Sequence, residues 1–403
     1  MIYKIGIFLF TLVFNSLYAQ VQWRNDRTGV YKETGLMKSW PENGPAMLWH
    51  FEGLGSGFSS VSIDKDRLFV TGCTDGKGYL YVLNLEGKLL NKVEYGTEWD
   101  KDVFVGSRST VMHDDGKLYI VSGLMELFCF DMQSLKLLWK KDYSKEYGAK
   151  NTKHGWNGAP LIVGEKLIIA PGGQQDHIVA LHKTTGELIW SAKGAKDDDM
   201  SGYATPIYIS DRQVPQVVAM MADHIIGIDI SNGKLLWSFY HTNEYREHCN
   251  TPEYYHGMII GMSDHGQGAI MLRLTDGGRS VEKVWENTDM TNKTGNTMKS
   301  GNYVYGSGER IYWYCVDWLT GKTLYSDRSL AVGSIISAEG LLYIYSEKGE
   351  IALVKPNPQK LEVISKFNVP FGTDLHLAHP VIYKGILYIR HGDALMAYHI
   401  KKP

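Results

Sequence analysis

Ten side chains in this sequence have the types that ligand or acid–base chemistry uses, and they recur at comparable points of a repeating pattern: Arg108, His154, Trp156, Asn157, Tyr203, His248, Asn250, Asn296, His376 and His379. Arg108 can hold a carboxylate or sulfate through two parallel N–H donors. Trp156 and Tyr203 offer flat faces for a sugar ring. His154 and His248 are the groups that can move a proton near neutral pH, so with Tyr203 they are the catalytic candidates. The remaining seven are ligand-binding candidates, their amides, rings and guanidinium supplying directed hydrogen bonds. Polar residues at such points also do plainer work, lining a wet channel or tying neighbouring loops together. His154, His248 and His376 or His379 have the types of a metal set but no local spacing, and no His-Glu-x-x-His or Gly-x-Ser-x-Gly motif occurs, so no metal and no nucleophile is expected.

What must position these groups is a repeat. The stretch 226–237, Ile-Gly-Ile-Asp-Ile-Ser-Asn-Gly-Lys-Leu-Leu-Trp, alternates apolar residues up to Asp229, turns at Asn232-Gly233 and ends in Trp237. Period-two alternation around an Asn-Gly turn predicts a β-hairpin. Close copies run over 128–139, 179–190 and 314–325, and Trp139, Trp190, Trp237 and Trp285 stand 51, 47 and 48 residues apart. That period suits propeller blades. Seven units, near 58–96, 109–143, 159–194, 204–240, 251–289, 297–330 and 334–370, each read as four short strands. The last unit, 379–400, supplies only three strands, and 47–51, with Trp49 at the blade-ending position, is the natural fourth. The fold expected is therefore all-β: an eight-bladed propeller of four-stranded antiparallel blades, its ring closed by an N-terminal strand in the C-terminal blade, which removes exposed sheet edges. In this reading each terminal Trp clamps one blade to the next, its ring N–H meeting a carbonyl. The ten candidates then precede innermost strands, around one mouth of the axial channel.

The repeat overrides the domain count that 403 residues would suggest. Residues 1–19, with Lys4, an apolar run ending at Phe14 and a cut after Ala19, read as a signal peptide, leaving one domain over 20–403. The run is too short to span a bilayer. A periplasmic or secreted, monomeric protein is expected. A net charge of −2 gives no nucleic-acid surface. Cys73, Cys129, Cys249 and Cys315 fall in different repeats with no Cys-x-x-Cys pair, which favours buried free thiols. The run Lys196-Asp-Asp-Asp-Met200 reads as a solvated loop of mutually repelling charges. Residues 312–318, Tyr-Trp-Tyr-Cys-Val-Asp-Trp, alternate along a strand, with half the side chains expected to be buried.

The hairpins reading Asp-x-x-x-Gly-Lys-x-x-Trp, with their Leu-Tyr strands, resemble the tryptophan-docked repeats of the pyrroloquinoline-quinone (PQQ)-like β-propellers, over roughly 23–403. The opening Trp23-Arg-Asn-Asp-Arg-Thr-Gly-Val, with Glu-Thr-Gly-Leu and Trp40-Pro, is similar to that of secreted, BamB-like members. The resemblance implies two known modes of action: quinone-dependent alcohol oxidation, and non-catalytic scaffolding at the outer membrane. The dehydrogenases are longer and carry vicinal cysteines over the quinone, and their calcium ligands have no residue-by-residue match here. This chain has no Cys-Cys pair, nor a cysteine after the apolar run for lipidation. Neither PQQ nor calcium is therefore expected as a cofactor.

The leading expectation is an exported, non-catalytic propeller that binds a glycan or an envelope protein through its channel mouth or blade edges. The alternative is a carbohydrate-active lyase or glycosidase working on an anionic sugar. That alternative requires Arg108, His154, Tyr203 and His248 to converge in one cleft.

Overall fold

The computed structural model describes residues 22–309 and 312–402; the signal-peptide reading of 1–19 lies outside them. Eight sheets of antiparallel strands follow one another along the chain. Blade 4 shows the pattern: Ile207–Ile209 innermost, then Gln216–Met220, His224–Asp229 and Leu235–Tyr240 at the rim. Its outer hairpin is the stretch with which the repeat was defined. Asp229 accepts from the backbone N–H groups of Ser231 at 2.8 Å and Gly233 at 2.9 Å, through side chain and carbonyl respectively. Gly233 takes φ +77°, which a residue with a Cβ resists.

The ring closes as the sequence indicates. Met47–Phe51 pairs antiparallel with Ala394–His399, completing the blade begun by Val381–Tyr383 and Ile386–His391. Apolar clusters bridge successive blades around the circle. Phe69, Leu80 and Val82 of blade 1 meet Leu118, Ile120 and Phe128 of blade 2, and blade 8 returns to blade 1 through Ile389 and Met396 against Leu68 and Tyr81.

The Trp clamp is a bond from one blade to the next. Trp49 Nε1 donates to Leu85 O at 2.8 Å, Trp139 to Thr184 O at 2.9 Å, Trp190 to Ile230 O at 3.0 Å and Trp285 to Trp318 O at 2.9 Å. In each pair the ring also lies against a turn glycine, Gly87, Gly186, Gly233 or Gly321, leaving no room there for a Cβ. Trp237 differs: its N–H goes to Gln216 Oε1 at 2.6 Å, and Gln216 Nε2 relays to Gly278 O of blade 5 at 2.9 Å. Blade 7 carries Ser365 at the position where blades 2, 3, 4, 5 and 8 carry Trp, and Ser365 Oγ receives the Trp40 N–H at 2.9 Å. Trp40, from the non-repeating N-terminal segment, packs there against Tyr343 and Phe367.

That same segment crosses the axis. Arg27 Nη2 donates to Pro160 O at 2.5 Å in blade 3. Arg24 Nη2 donates to Thr297 O at 3.1 Å and Ile335 O at 3.2 Å, in blades 6 and 7. Blades 3 and 7 are opposite in a ring of eight, so residues 23–27 span the channel. Val30–Tyr31 then adds a parallel fifth strand to the inner edge of blade 7, against Ser337 and Ala338.

Two sequence expectations change here. Central strands are sandwiched between neighbouring blades, so in Tyr312–Asp317 Trp313, Tyr314, Cys315 and Val316 are all buried rather than every second residue. The 196–200 run is not a uniformly solvated loop. Asp199 is fully buried, accepting from Asp223 N at 2.6 Å and paired with His224 Nδ1 at 2.7 Å, and Asp223 holds Arg246 through two 2.9 Å bonds. The four thiols are free; three are buried and Cys249 is half-buried. Among the described residues, no helix is long and apolar enough to cross a membrane.

Candidate functional site at the axial mouth

Because strands within a blade alternate in direction, the start of each innermost strand shares a face with the turn between the second and third strands. On that face a cavity of about 600 Å³ opens at the axis, lined from all eight blades. Phe58, Arg108, Asn157, Tyr203, Cys249, Asn296, Val332 and His379 are one contributor from each, in ring order. Trp23, carried by the crossing segment, forms part of the wall and meets the His379 ring edge-on at 5.0 Å. With the segment lying across the channel, the cavity is blind.

The wall between blades 2 and 4 is cationic and aromatic. Arg108 Nη1 donates to Gly155 O at 3.2 Å and Nη2 to Phe104 O, and the guanidinium lies 5.7 Å from the Trp99 ring centre. Burial holds the Arg108 pKa below the usual arginine range. His154 stands beside it, its Nδ1 3.0 Å from Asp102 Oδ2. Since the carboxylate can only accept, Nδ1 carries the proton and Nε2 is left facing away from Asp102. Partial burial works against ionised Asp102, but the bonds from His154 and the Phe104 N–H keep its pKa below the ordinary carboxylate value. The His154 N–H donates to Tyr203 Oη at 3.1 Å, and Tyr203 Oη reaches Glu247 Oε1 at 3.5 Å. Burial pushes the Tyr203 phenol up to about 12, so it is neutral at physiological pH.

The opposite wall mixes acids with one lysine. Lys293 pairs with Glu309 at 3.4 Å, and Thr294 Oγ1 donates to Glu347 Oε1 at 2.9 Å. Burial raises the Glu347 carboxyl. His265 packs on Tyr245 with ring centres 4.3 Å apart and lies 3.7 Å from buried Asp264. Cys249 faces the cavity as a thiol, pushed up to about 12 by burial and then by Glu247.

Of the ten candidate residues, the structure brings six to this cavity: Arg108, His154, Asn157, Tyr203, Asn296 and His379. Asn296 is at the wall with its amide already donated to Thr251 O at 2.9 Å. His379 Nε2 lies 3.3 Å from Gly295 O, and burial, reinforced by Arg24, pulls it down to about 3. The other four are not in the lining. Trp156 points into the core between blades, its Nε1 on Gly158 O at 2.9 Å and its ring edge-on to Tyr143. His248 is 1% exposed, with Nε2 3.0 Å from Ala222 O, and burial lowers it to about 4. Asn250 is fully buried, donating to Asn292 O at 2.6 Å and accepting the Asn296 N–H at 2.9 Å. His376 sits between blades 7 and 8, stacked at 3.7 Å on His391 and bonded to Tyr345 Oη at 2.6 Å. In all four the next residue lines the cavity (Asn157, Cys249, Thr251 and Leu377), and a shift of one residue along an extended chain turns the side chain away from the axis.

The sequence reading did not select Trp23, Phe104, Lys153, Tyr245, Glu247, His265, Lys293, Glu309 or Glu347. Several of these come from the turns between second and third strands or from inter-blade loops. Among the described residues no three or more His, Cys, Asp or Glu are grouped to hold a metal ion. The wall carboxylates Glu309 and Glu347 come from separate blades and are engaged by Lys293 and the Thr294 hydroxyl.

The family described as outer membrane protein assembly factor BamB matches residues 77–237 and 151–360. Among solved structures, BamB from Moraxella catarrhalis is similar at a TM-score of 0.65 and 15% identity, covering 88% of this chain and 100% of that one. The computationally designed Ika8 protein has a TM-score of 0.61 at 11% identity, covering 89% of this chain and 100% of that one. A quinohemoprotein alcohol dehydrogenase, ADHIIG from Pseudomonas putida HK5, has a TM-score of 0.60 at 10% identity, covering 96% of this chain and 80% of that one. At such identities the likeness concerns the fold alone. No curated protein matches the sequence.

Proposed function

We take as premise that the chain belongs to the PQQ-repeat propeller family described as outer membrane protein assembly factor BamB, and we propose that it is an exported, non-catalytic binding protein whose axial cavity receives its ligand. Residues 1–19 act as the export signal in this reading, and 20–403 form the single working domain. One observation carries it: a blind cavity of about 600 Å³ to which every blade contributes. That volume and its mixture of aromatic and directed polar groups are those of a small-ligand pocket. A glycan, or a protruding segment of an envelope protein, is the class of occupant. Asn157 lines the cavity, so Asn157→Trp should abolish binding while leaving the thermal midpoint near the wild-type value. Binding that survives this substitution would move the site to the blade edges and overturn the reading.

A second reading, an acid–base enzyme on an anionic sugar, is favoured by Arg108, His154 and Tyr203 lining the same cavity. His154, oriented by Asp102, would take or give the proton through Nε2, neutral Tyr203 would serve as the acid, and Arg108 would hold the sugar's anion. His248, buried on Ala222 O, has no part in it. Turnover of an acidic oligosaccharide that disappears in His154→Ala would replace the binding role with this one. Unchanged substrate after prolonged incubation removes the enzyme.

A further inference from the structure

Arg108 is a buried cation on which Asp102 and Glu98 act through space, with no ion pair to either among the described residues. Only 9% of it is exposed. Its Nη atoms are spent on the carbonyl oxygens of Gly155 and Phe104, and its Nε has no hydrogen-bond partner among the described residues. The two nearby carboxylates are occupied elsewhere. Asp102 accepts from His154 and from the Phe104 N–H at 2.7 Å. Glu98 accepts from the Tyr95 hydroxyl and the N–H groups of Trp99 and Gly123. A guanidinium removed from water without an anion in direct contact is costly, and a ligand that supplies that contact recovers part of the cost. Lys153 lines the cavity on the same side and adds a second positive charge.

The rest of the lining asks for different chemistry. Glu247, beside Tyr203, and Glu347, on the opposite wall, line the cavity as acceptors, and the Glu247 carboxylate has a hydrogen bond from the Tyr203 hydroxyl at 3.5 Å. They suit neutral hydroxyl donors and repel a wholly anionic occupant. Trp23, Phe58 and Tyr203 add flat apolar faces between the two walls. One negative group, several hydroxyls and a ring with an apolar face describe an acidic sugar better than an acidic peptide, whose carboxylates would crowd Glu247 and Glu347.

We propose that the mouth cavity is a site for an anionic saccharide, with the sugar's carboxylate or sulfate held against Arg108 and Lys153 and its hydroxyls donated to Glu247 and Glu347. This rests on the reading that the mouth is the binding site, and it deepens that reading by naming the ligand class.

The test is calorimetric titration of the purified chain with trisaccharides carrying a single galacturonate, a single glucuronate or a single sulfate, each beside a neutral counterpart with the anionic group reduced or removed. A charge-assisted hydrogen bond is worth roughly 1.5–3 kcal/mol, about tenfold or more in affinity. At least one acidic trimer should therefore bind roughly tenfold or more tightly than its neutral counterpart, and the advantage should shrink with ionic strength. Arg108→Gln should bring the ratio to about one. Because Arg108 also ties two carbonyl groups, Lys153→Gln is the second variant, and it should reduce the ratio with no change in melting. Equal affinity for acidic and neutral sugars, no binding of any acidic trimer, or preference for an acidic peptide overturns the proposal. If Asn157→Trp blocks all binding but the wild-type ratio is near one, only the anion subsite fails. If Asn157→Trp blocks nothing, the mouth reading itself fails.

Discussion

Removal of one docking ring, in Trp190→Ala, tests how the blades are held together and has a magnitude that can be worked from its surroundings. The Trp190 ring is 7% exposed, lies against Gly233 of the next blade and donates to Ile230 O at 3.0 Å. Truncating a buried Trp to Ala costs about 3–5 kcal/mol, within which the lost hydrogen bond accounts for about 1 kcal/mol. Trp190→Phe keeps most of the ring but strands the Ile230 carbonyl, so about 1–2 kcal/mol is expected. Blade 1 provides the control, since Asn91 holds the equivalent register position and is exposed. Asn91→Ala should cost less than about 0.5 kcal/mol. Urea unfolding followed by far-UV circular dichroism would read the series as shifts in midpoint at constant slope. Trp190→Ala no more harmful than Asn91→Ala would refute the clamp as a source of stability.

Three further outcomes follow from the same geometry. Arg24→Met should destabilise by about 3–5 kcal/mol, because it removes a buried guanidinium and leaves the half-buried Glu253 carboxylate 3.7 Å away without its cation, and Arg24→Met/Glu253→Gln should regain part of that loss; equal loss in both variants contradicts the charge argument. His241, His248, His376 and His379 are pulled down by burial to about 4, 4, 4 and 3. Their contribution to stability is full above the ordinary histidine value of about 6.5 and is lost as pH falls through the folded values, so His248→Gln should flatten the fall in melting temperature on acidification. Glu98, raised by burial to about 7, acts in the reverse sense: its contribution is full below about 4.5 and lost as pH rises through 7. Glu98→Gln should therefore flatten the melting profile over that window, and an unchanged profile would place the titration elsewhere.

The blades were legible because each outer hairpin is local: Asp229, the Asn232-Gly233 turn and Trp237 specify turn, register and docking within twelve residues. The closing strand at Trp49 was legible for the same reason. The crossing segment was not, since the bonds of Arg24, Arg27 and Trp40 that tie it across the ring go to partners more than a hundred residues away. The site was legible in half. Counting back from each innermost strand found Arg108, His154, Tyr203 and His379, but an extended backbone alternates, and the same counting sent Trp156, His248 and Asn250 into the gaps between blades. Glu309 and Glu347 come from turns between second and third strands, which the strand directions place on the same face. Those turns vary among the repeats and leave no periodic signal.

The most direct measurement of the account is a crystal structure of the chain grown with a trisaccharide carrying a single galacturonate. The account predicts one sugar carboxylate against Arg108, with the ring in the cavity between Trp23 and Tyr203. A trimer bound along the outer strands, or a mouth cavity left empty at saturating trimer, would contradict it.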